Sequence, residues 1–232
     1  MRGVITSPAT ALAINLKDIA HRHGKPAIPV PLGCAATATI LLGALAELRT
    51  DFLRVAARTD IDLVDFLNRI WVRQYAAFPY LRGRLHPILG WAHPAARASD
   101  VHLARACLTL LADTDLDAAA ESVNGDLLGT LYAALRDSAP RGTIYTPHTL
   151  AALLPAMNPP ENHARIEDVA CGAGALSIAS VRAMRARNRH PETVMWDLGD
   201  IDPCAVALAG VAMAAHGIPF VQLRSADALV AS

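Results

Sequence analysis

The residue types best suited to ligand binding lie in the glycine-containing turn Asp168-Val-Ala-Cys171-Gly172-Ala-Gly174. Residues 166–170 are predicted to form a short strand leading into this turn, and a helix is predicted from about residue 175 to residue 187. Glycines let a ligand approach the backbone closely, and the first turn of the helix offers unpaired N–H groups. A strand followed by Gly-x-Gly is also ordinary turn chemistry, so this feature alone leaves a ligand site and a plain turn as alternatives.

Acidic residues follow the next two predicted strands, at 194–198 and 220–223. Asp200 follows the first, in Gly199-Asp200-Ile201-Asp202-Pro203. A carboxylate at the carboxyl end of a parallel strand can accept hydrogen bonds from both hydroxyls of a ribose, and we assign this role to Asp200. Asp202, directly before a proline, is predicted to cap a helix instead. Asp227 follows the other strand, where a solvated loop residue is an alternative interpretation.

The first 140 residues are predicted to be helical and to form one domain. Apolar residues recur there at three- and four-residue spacing in the segments 35–49, 61–75, 101–111 and 125–136. Asp60 and the pair Ser99-Asp100 are predicted to cap the second and third of these helices. Stretches rich in proline and glycine, at 23–33 and 78–94, separate the helices.

From residue 141 to residue 232 strands and helices alternate. The predicted strands are those named above, and a second helix is predicted at 204–216. Strand–helix–strand–helix–strand at this spacing is typical of half of a parallel α/β sheet. The predicted fold class is therefore α/β, with a helical N-terminal domain at 1–140, a three-stranded domain at 141–232, and a boundary near Pro140–Gly142.

Composition excludes several classes of protein. The 232 residues are 53% apolar and 18% charged, which is typical of a folded chain. Lys plus Arg and Asp plus Glu both total 21, so the positive excess of a strongly basic nucleic-acid-binding module is missing. Arginines cluster near the end of the predicted helix 175–187, where favourable interaction with the helix dipole is a simpler interpretation than a track for phosphates.

Cysteine and hydropathy patterns indicate a cytoplasmic protein without a metal site. The four cysteines are widely spaced with no Cys-x-x-Cys pair, and the nine histidines include no His-Glu-x-x-His. No run of roughly 20 apolar residues is present, so no membrane span is predicted.

Residues 126–229 resemble the adenine-specific DNA methyltransferases that serve as modification subunits of type I restriction-modification systems. Five segments occur in the family's order: Asp126-Leu-Leu-Gly129-Thr-Leu-Tyr132, Gly142-Thr-Ile-Tyr145-Thr146-Pro147, the glycine turn, Gly199 to Pro203 with the later His216-Gly217-Ile218, and Ser225-Ala226-Asp227-Ala-Leu229. The combination is specific, although no single segment is. Val169, Ala173 and Ala226 are mild departures from the family's usual residues.

The resemblance implies the first half of a Rossmann-like sheet that binds S-adenosylmethionine (SAM). The Tyr-Thr-Pro segment would line the methionine end of SAM, the glycine turn would pass beneath it, Asp200 would hold the ribose, and Asp227 would accept a hydrogen bond from the adenine amino group. The cofactor-binding residues carried over in this way are Tyr145, Thr146, Pro147, Asp168, Cys171, Gly172, Gly174, Asp200, Ile201 and Asp227.

The family's catalytic box, [ND]-P-P-[FY], is not found among residues 1–232. In the family its Asn or Asp and a backbone carbonyl hold the adenine amino group, and its aromatic ring stacks on the flipped base. Asn158-Pro159-Pro160-Glu161 precedes the glycine turn and lacks the aromatic residue, so we interpret it as a helix stop and a loop. No catalytic residue is predicted, and residues 1–232 alone are expected to be inactive.

The sequence thus favours the SAM-binding part of an adenine-specific DNA methyltransferase, truncated before the catalytic box or completed by another chain. The alternative is a non-enzymatic descendant that uses the same cleft for ligand sensing or protein association. A three-stranded half-sheet is expected to leave an unpaired edge and an uncovered apolar face, which predicts self-association or a partner subunit. DNA would then be contacted through other regions or through the partner.

Overall fold

The computed structural model describes residues 6–25, 28–42, 59–93, 95, 97–136 and 146–227. Within these ranges, the helical part contains α1 (Pro8–Arg22), α2 (Pro29–Leu42), α3 (Asp60–Ala77), a 3-10 turn (Pro79–Leu81), α4 (His86–Leu89), α5 (Ala98–Ala112), α6 (Leu116–Glu121) and α7 (Leu127–Leu135). The part that follows contains α8 (His148–Met157), β1 (Arg165–Asp168), α9 (Ala175–Ala186), a 3-10 turn (Pro191–Thr193), β2 (Met195–Asp200), α10 (Pro203–Ala215) and β3 (Val221–Ser225).

The starts of several helices differ from the predicted ones, because local capping decides them. Thr59 caps α3 through a reciprocal capping box with Asp62, so the predicted cap, Asp60, is the first helical residue instead. Arg97 precedes α5 without a side-chain cap, so the predicted Ser99-Asp100 cap is wrong. α2 begins at Pro29 rather than at residue 35. Proline is tolerated at this position because the N–H groups of a helix's first turn have no acceptor within the helix. α1, α4, α6 and α8 have no counterpart among the predicted helix segments.

The sheet agrees closely with the predicted alternation. Its three strands are parallel in the order β1-β2-β3, with β2 in the centre. Ile166 is in register with Trp196, and Leu198 with Leu223. Because the strands are parallel, the ends of β1 and β2 bring Asp168 and Asp200 to the same edge of the sheet.

The two faces of the sheet differ in chemistry. Trp196, Leu198 and Leu223 are buried on one face, and Leu223 lies against Gly210 of α10. Successive strand residues point to opposite faces, and the other face carries an ionic network. There Arg224 donates to Asp197 at 2.9 Å and to Glu167 at 2.7 Å. The second face is therefore charged, which corrects the expectation of an uncovered apolar face.

Four large apolar side chains are exposed together on α8. Leu150, Leu153, Leu154 and Met157 are each more than half exposed and recur at the spacing of one helix face. The opposite side of α8 buries Ala151 and packs against α9. None of the described helices is long and apolar enough to cross a membrane.

A cluster of three side chains joins the helical part to the sheet. Tyr132 of α7 donates a hydrogen bond to the carboxylate of Asp202, which also accepts from Arg136 at 2.9 Å. The Arg136 guanidinium lies 5.1 Å from the centre of the Tyr132 ring. Buried residues of both parts form one continuous core. The predicted domain boundary near Pro140–Gly142 lies outside the described residues, so the division into two domains stays a prediction.

Replacing Tyr132 by phenylalanine should lower the free energy of unfolding by about 1–3 kcal/mol, because the Asp202 carboxylate loses a donor while the ring packing is kept. Urea denaturation followed by circular dichroism measures this difference. Tyr75→Phe is the control, since it removes the same hydroxyl from a half-buried tyrosine whose hydroxyl makes no hydrogen bond to a described residue. Equal stabilities for Tyr132→Phe and the wild type would contradict the role of this contact.

Candidate functional site

A cavity of about 510 Å³ lies between α7, the start of α8 and the turn that follows β1. This volume is within the range usual for small-molecule sites, roughly 300–1,000 Å³. The residues that line it come from three separate stretches of the chain: Asp126, Gly129, Thr130, Ala133 and Ala134; Thr146, Pro147 and His148; and Asp168, Ala170, Cys171, Gly172, Ala173, Ala175 and Leu176.

The two glycines of the turn have different structural roles. Gly172 lines the cavity with a φ of +53°, and a Cβ placed on it would meet no atom within 4 Å. Gly174 does not line the cavity. Its φ is +93°, and a Cβ there would lie 3.3 Å from the Cα of Ala209 on α10. Gly172 therefore exposes backbone to the cavity, whereas Gly174 allows α9 and α10 to pack closely.

The carboxylate of Asp200 fixes the turn against the end of β2. Its two oxygens accept hydrogen bonds from the backbone N–H of Gly172 at 2.8 Å and of Asp202 at 2.9 Å. The N–H of Cys171 donates to the carbonyl of Gly199 at 2.8 Å, which adds a second link. Asp202 caps α10 by accepting from the N–H of Cys204, as predicted.

The lining of the cavity is acidic. Burial raises the pKa of the Asp126 carboxyl to about 7, against the opposing effect of the hydrogen bond from Gly129. Burial also raises the pKa of Asp168, and the nearby Asp200 carboxylate adds to this effect. No Lys or Arg is among the described residues that line the cavity. Such a lining suits a ligand that brings positive charge and hydrogen-bond donors.

Cys171 is unsuited to nucleophilic chemistry. Its thiol is buried, and burial together with the charges of Asp168 and Asp200 raises its pKa well above the ordinary value. The thiol therefore stays protonated, and its Sγ lies 3.3 Å from the carbonyl oxygen of Gly172. Among the described residues, no group of three or more His, Cys, Asp or Glu side chains could hold a metal ion.

The structure adds Asp126 to the residues predicted from the sequence. Its Oδ1 accepts from the N–H of Gly129 at 3.2 Å, which caps α7. A Cβ on Gly129 would lie 2.3 Å from that oxygen, so the Asp-x-x-Gly spacing is what allows the carboxyl to fold back on the helix. An acidic cap three residues before a glycine, on an otherwise apolar helix, is the signal that sequence analysis could have used.

The predicted site residues fall into three groups. Those that line the cavity are Thr146, Pro147, Asp168, Cys171 and Gly172. Those outside its lining are Gly174, Asp200, Ile201 and Asp227, of which Asp200 is bonded directly to the turn. Tyr145 lies outside the described residues.

The Asn158-Pro159-Pro160 segment lies at the far end of α8 from the cavity. Asn158 ends the helix, and the carbonyls of Pro159 and Pro160 accept hydrogen bonds from Arg189. α8 has ten residues, which corresponds to about 15 Å of helix. The interpretation of this segment as a helix stop and loop is confirmed.

The arginines near the end of α9 bind neighbouring parts of the chain. Arg182 makes two hydrogen bonds to Glu121, both at 2.9 Å. Arg185 and Arg187 each donate at 2.6 Å to a backbone carbonyl, that of His216 after α10 and that of Ala156 in α8, respectively. Arg182 thus pairs with a carboxylate, while Arg185 and Arg187 satisfy carbonyl groups near helix carboxyl ends. This agrees with the interpretation that these arginines are not a phosphate track.

All residues that line the cavity lie in a part of the chain that matches the model of a known protein family. The model of the N-6 DNA methylase family matches residues 124–231. This segment is N-6 DNA methylase-like. The resemblance predicted from the sequence is confirmed for it, and the segment begins just before Asp126, so α7 and its capping carboxyl are included.

The fold is also similar to the crystal structure of the type I restriction-modification system methyltransferase subunit from Streptococcus thermophilus. The TM-score is 0.50 at 18% sequence identity, and the match covers 95% of this chain and 59% of the relative. At this identity the likeness establishes the fold, and the chain spans about three fifths of the relative's length. No curated protein sequence matches the chain.

The raised pKa of Asp126 predicts a measurable pH dependence of stability. The ordinary pKa is 3.8 and the folded-state value is about 7, so the folded state binds more protons than the unfolded state between these pH values. This contribution to stability is fully present below pH 4 and is lost as the pH rises to about 7. Asp126→Asn keeps the shape and the helix cap but cannot titrate.

We expect the wild type to lose about 2–4 kcal/mol of unfolding free energy relative to Asp126→Asn between pH 4 and pH 8. Each pKa unit by which the folded state differs from the unfolded state corresponds to about 1.4 kcal/mol. Urea denaturation of both proteins across this pH range measures the difference. Parallel stability profiles for the two proteins would show that the carboxyl titrates normally.

Proposed function

We propose that the chain binds SAM in the cavity between α7, α8 and the glycine turn, as the cofactor-binding part of an adenine-specific DNA methyltransferase of the restriction-modification type. The observation that carries this proposal is the acidic cavity at the glycine turn of an N-6 DNA methylase-like segment. In this proposal, the three parallel strands are the first half of a Rossmann-like sheet.

The charge of the cavity favours SAM over a nucleotide carrying phosphates. SAM has a positively charged sulfur, an ammonium group, ribose hydroxyls and an adenine amino group. Asp126 and Asp168 offer acceptor oxygens, and the described lining has no Lys or Arg to neutralise a phosphate. The first turn of α9 offers backbone N–H groups to the carboxylate of the methionine end.

Each predicted residue takes a role along the proposed ligand. Thr146 and Pro147 form the wall at the methionine end. By the resemblance of the sequence, Tyr145 is proposed to bind the same end. Gly172 lies beneath the ligand, since its exposed backbone leaves room for close approach. The two backbone N–H donors that hold Asp200 in place leave lone pairs on both oxygens for ribose hydroxyls.

The nucleoside end of the proposed ligand lies toward β2 and β3. Ile201 is adjacent to Asp200 and its side chain is 68% exposed, so it is available to pack against the nucleoside. Asp227 follows β3 and would accept from the adenine amino group.

SAM supplies a methyl group on a positively charged sulfur, and residues of this chain would bind and orient it. Transfer to an adenine amino group also requires a pocket that holds the flipped base. Residues 1–232 contain no [ND]-P-P-[FY] tetrapeptide. We therefore propose that further polypeptide, from the same gene product or a partner subunit, supplies this pocket and the contacts to DNA.

The exposed face of α8 is where we propose that this further polypeptide packs. Leu150, Leu153, Leu154 and Met157 are exposed there, and β1 has no strand partner on its outer side among the described residues. About two fifths of the relative from S. thermophilus lies outside the match. Strands that continue the sheet beyond β1 would provide the missing cover.

Calorimetric titration should show that the chain binds both SAM and its demethylated product, S-adenosylhomocysteine. Asp200→Asn should raise both dissociation constants about tenfold, because removing a charged acceptor costs about 1–3 kcal/mol. Asp18→Asn, an exposed carboxylate on α1, is the matched control. The absence of both heat and thermal shift at millimolar ligand would contradict SAM binding.

Residues 1–232 alone should transfer no methyl group from labelled SAM to unmethylated duplex DNA. Positioning of the base supplies much of the rate, and the residues that do this in the family are missing here. The longest available product of the gene is the comparison. Activity of this longer product, with residues 1–232 inactive, supports the proposal that the complete protein is a methyltransferase. Inactivity of both, with SAM binding intact, would favour a sensing or interaction module. Activity of residues 1–232 would overturn our interpretation of Asn158-Pro159-Pro160.

A further inference from the structure

The carboxyl of Asp126 is fixed at the wall of the cavity. One oxygen, Oδ1, accepts from the N–H of Gly129 at 3.2 Å. The other oxygen makes no hydrogen bond to a described residue. Gly129 has no Cβ to obstruct this position, since a Cβ would lie 2.8 Å from Oδ2. The side chain is therefore held in one orientation and keeps an acceptor oxygen without a protein donor among the described residues.

Asp126 lies at the end of the cavity where the methionine portion of the proposed ligand would bind. Asp200 bonds to the N–H of Gly172 on the side of the turn nearest β2, where the ribose would lie. Asp126 belongs to the α7 wall of the cavity, together with Thr146 and Pro147 at the start of α8. This wall is the proposed methionine end, so Asp126 faces the amino-acid portion of the ligand.

The amino-acid portion carries one group that matches a carboxylate acceptor. Its ammonium has three N–H donors and a positive charge, whereas the sulfonium has a charge but no N–H or O–H to donate. An ionised carboxylate accepts hydrogen bonds only, and a charge-assisted bond to an ammonium is about twice as strong as a neutral one.

Resting on the proposed function, we infer that Asp126 binds the ammonium group at the methionine end of SAM and so selects ligands that carry the amino-acid moiety. Asp168, the other acidic residue of the lining, lies at the end of β1, where the glycine turn begins. The Asp-x-x-Gly segment of α7 is then part of the binding site as well as a helix cap.

The test compares Asp126→Asn with the wild type against three ligands: SAM, S-adenosylhomocysteine and 5′-methylthioadenosine. The first has both an ammonium and a sulfonium, the second an ammonium alone, and the third neither. Titration calorimetry should show the dissociation constants of the first two raised about tenfold each, with that of 5′-methylthioadenosine changed less than twofold. Asparagine is a good helix cap, and thermal unfolding verifies that the variant is folded. If it is not, Asp126→Ser, which also caps, replaces it.

Asp115→Asn is the matched control, because Asp115 caps α6 by accepting from the N–H of Ala118 at 3.0 Å and does not line the cavity. Its affinities for all three ligands should equal those of the wild type.

Weakened binding of all three ligands by Asp126→Asn would assign Asp126 a purely structural role and overturn the inference. Weakened binding of SAM alone would assign the contact to the sulfonium, and unchanged binding would exclude any contact. Failure of the wild type to bind SAM and S-adenosylhomocysteine would instead contradict the proposed function, and the inference with it.

Discussion

The hydrogen bonds accepted by the Asp200 carboxylate hold together the parts of this protein that form the cavity. One oxygen binds the N–H of Gly172 in the turn after β1, and the other binds the N–H of Asp202 after β2. Asp202 in turn binds Tyr132 of α7 and Arg136, the residue that follows this helix. A continuous chain of polar contacts therefore runs from the glycine turn to the last described helix of the N-terminal region, and it fixes the two walls of the cavity relative to each other.

This arrangement explains why acidic groups collect around the cavity. Backbone N–H groups at the ends of β1 and β2 and at the start of α7 are satisfied by the carboxylates of Asp168, Asp200 and Asp126. Burial of Asp126 and Asp168 raises their pKa values, because ionisation there is not offset by a nearby Lys or Arg in the described lining. A cationic ligand would provide the missing compensation. The same groups that organise the fold thus set the charge that a ligand must carry.

Several arginines lie outside the cavity, near the end of α9 and on the second face of the sheet. The arginines at the end of α9 bind a carboxylate on α6, a backbone carbonyl in α8 and another after α10, which joins these helices to one another. On the other side, Arg224 links Asp197 of β2 to Glu167 of β1, and the Arg165 guanidinium lies 3.6 Å from the second oxygen of the buried Asp197. That buried aspartate would be costly without its guanidinium partners. The charged sheet face is therefore internally neutralised, and the apolar face of α8 is the more suitable surface for association.

The sequence by itself determined the order of strands and helices around the sheet, the glycine turn, the helix cap at Asp202 and the likeness to the N-6 DNA methylases. The strands, helices, turn and cap depend on residues close together in the chain, so periodicity and turn chemistry are sufficient to predict them. The likeness depends on five short segments that occur in the family's order. Only the tertiary structure decided that Gly172, and not Gly174, faces the cavity, because the difference depends on where α10 packs. It also decided that Asp126 joins residues some forty positions later, and that the second face of the sheet is ionic. Those properties arise from contacts between distant segments, which no local pattern in the chain specifies.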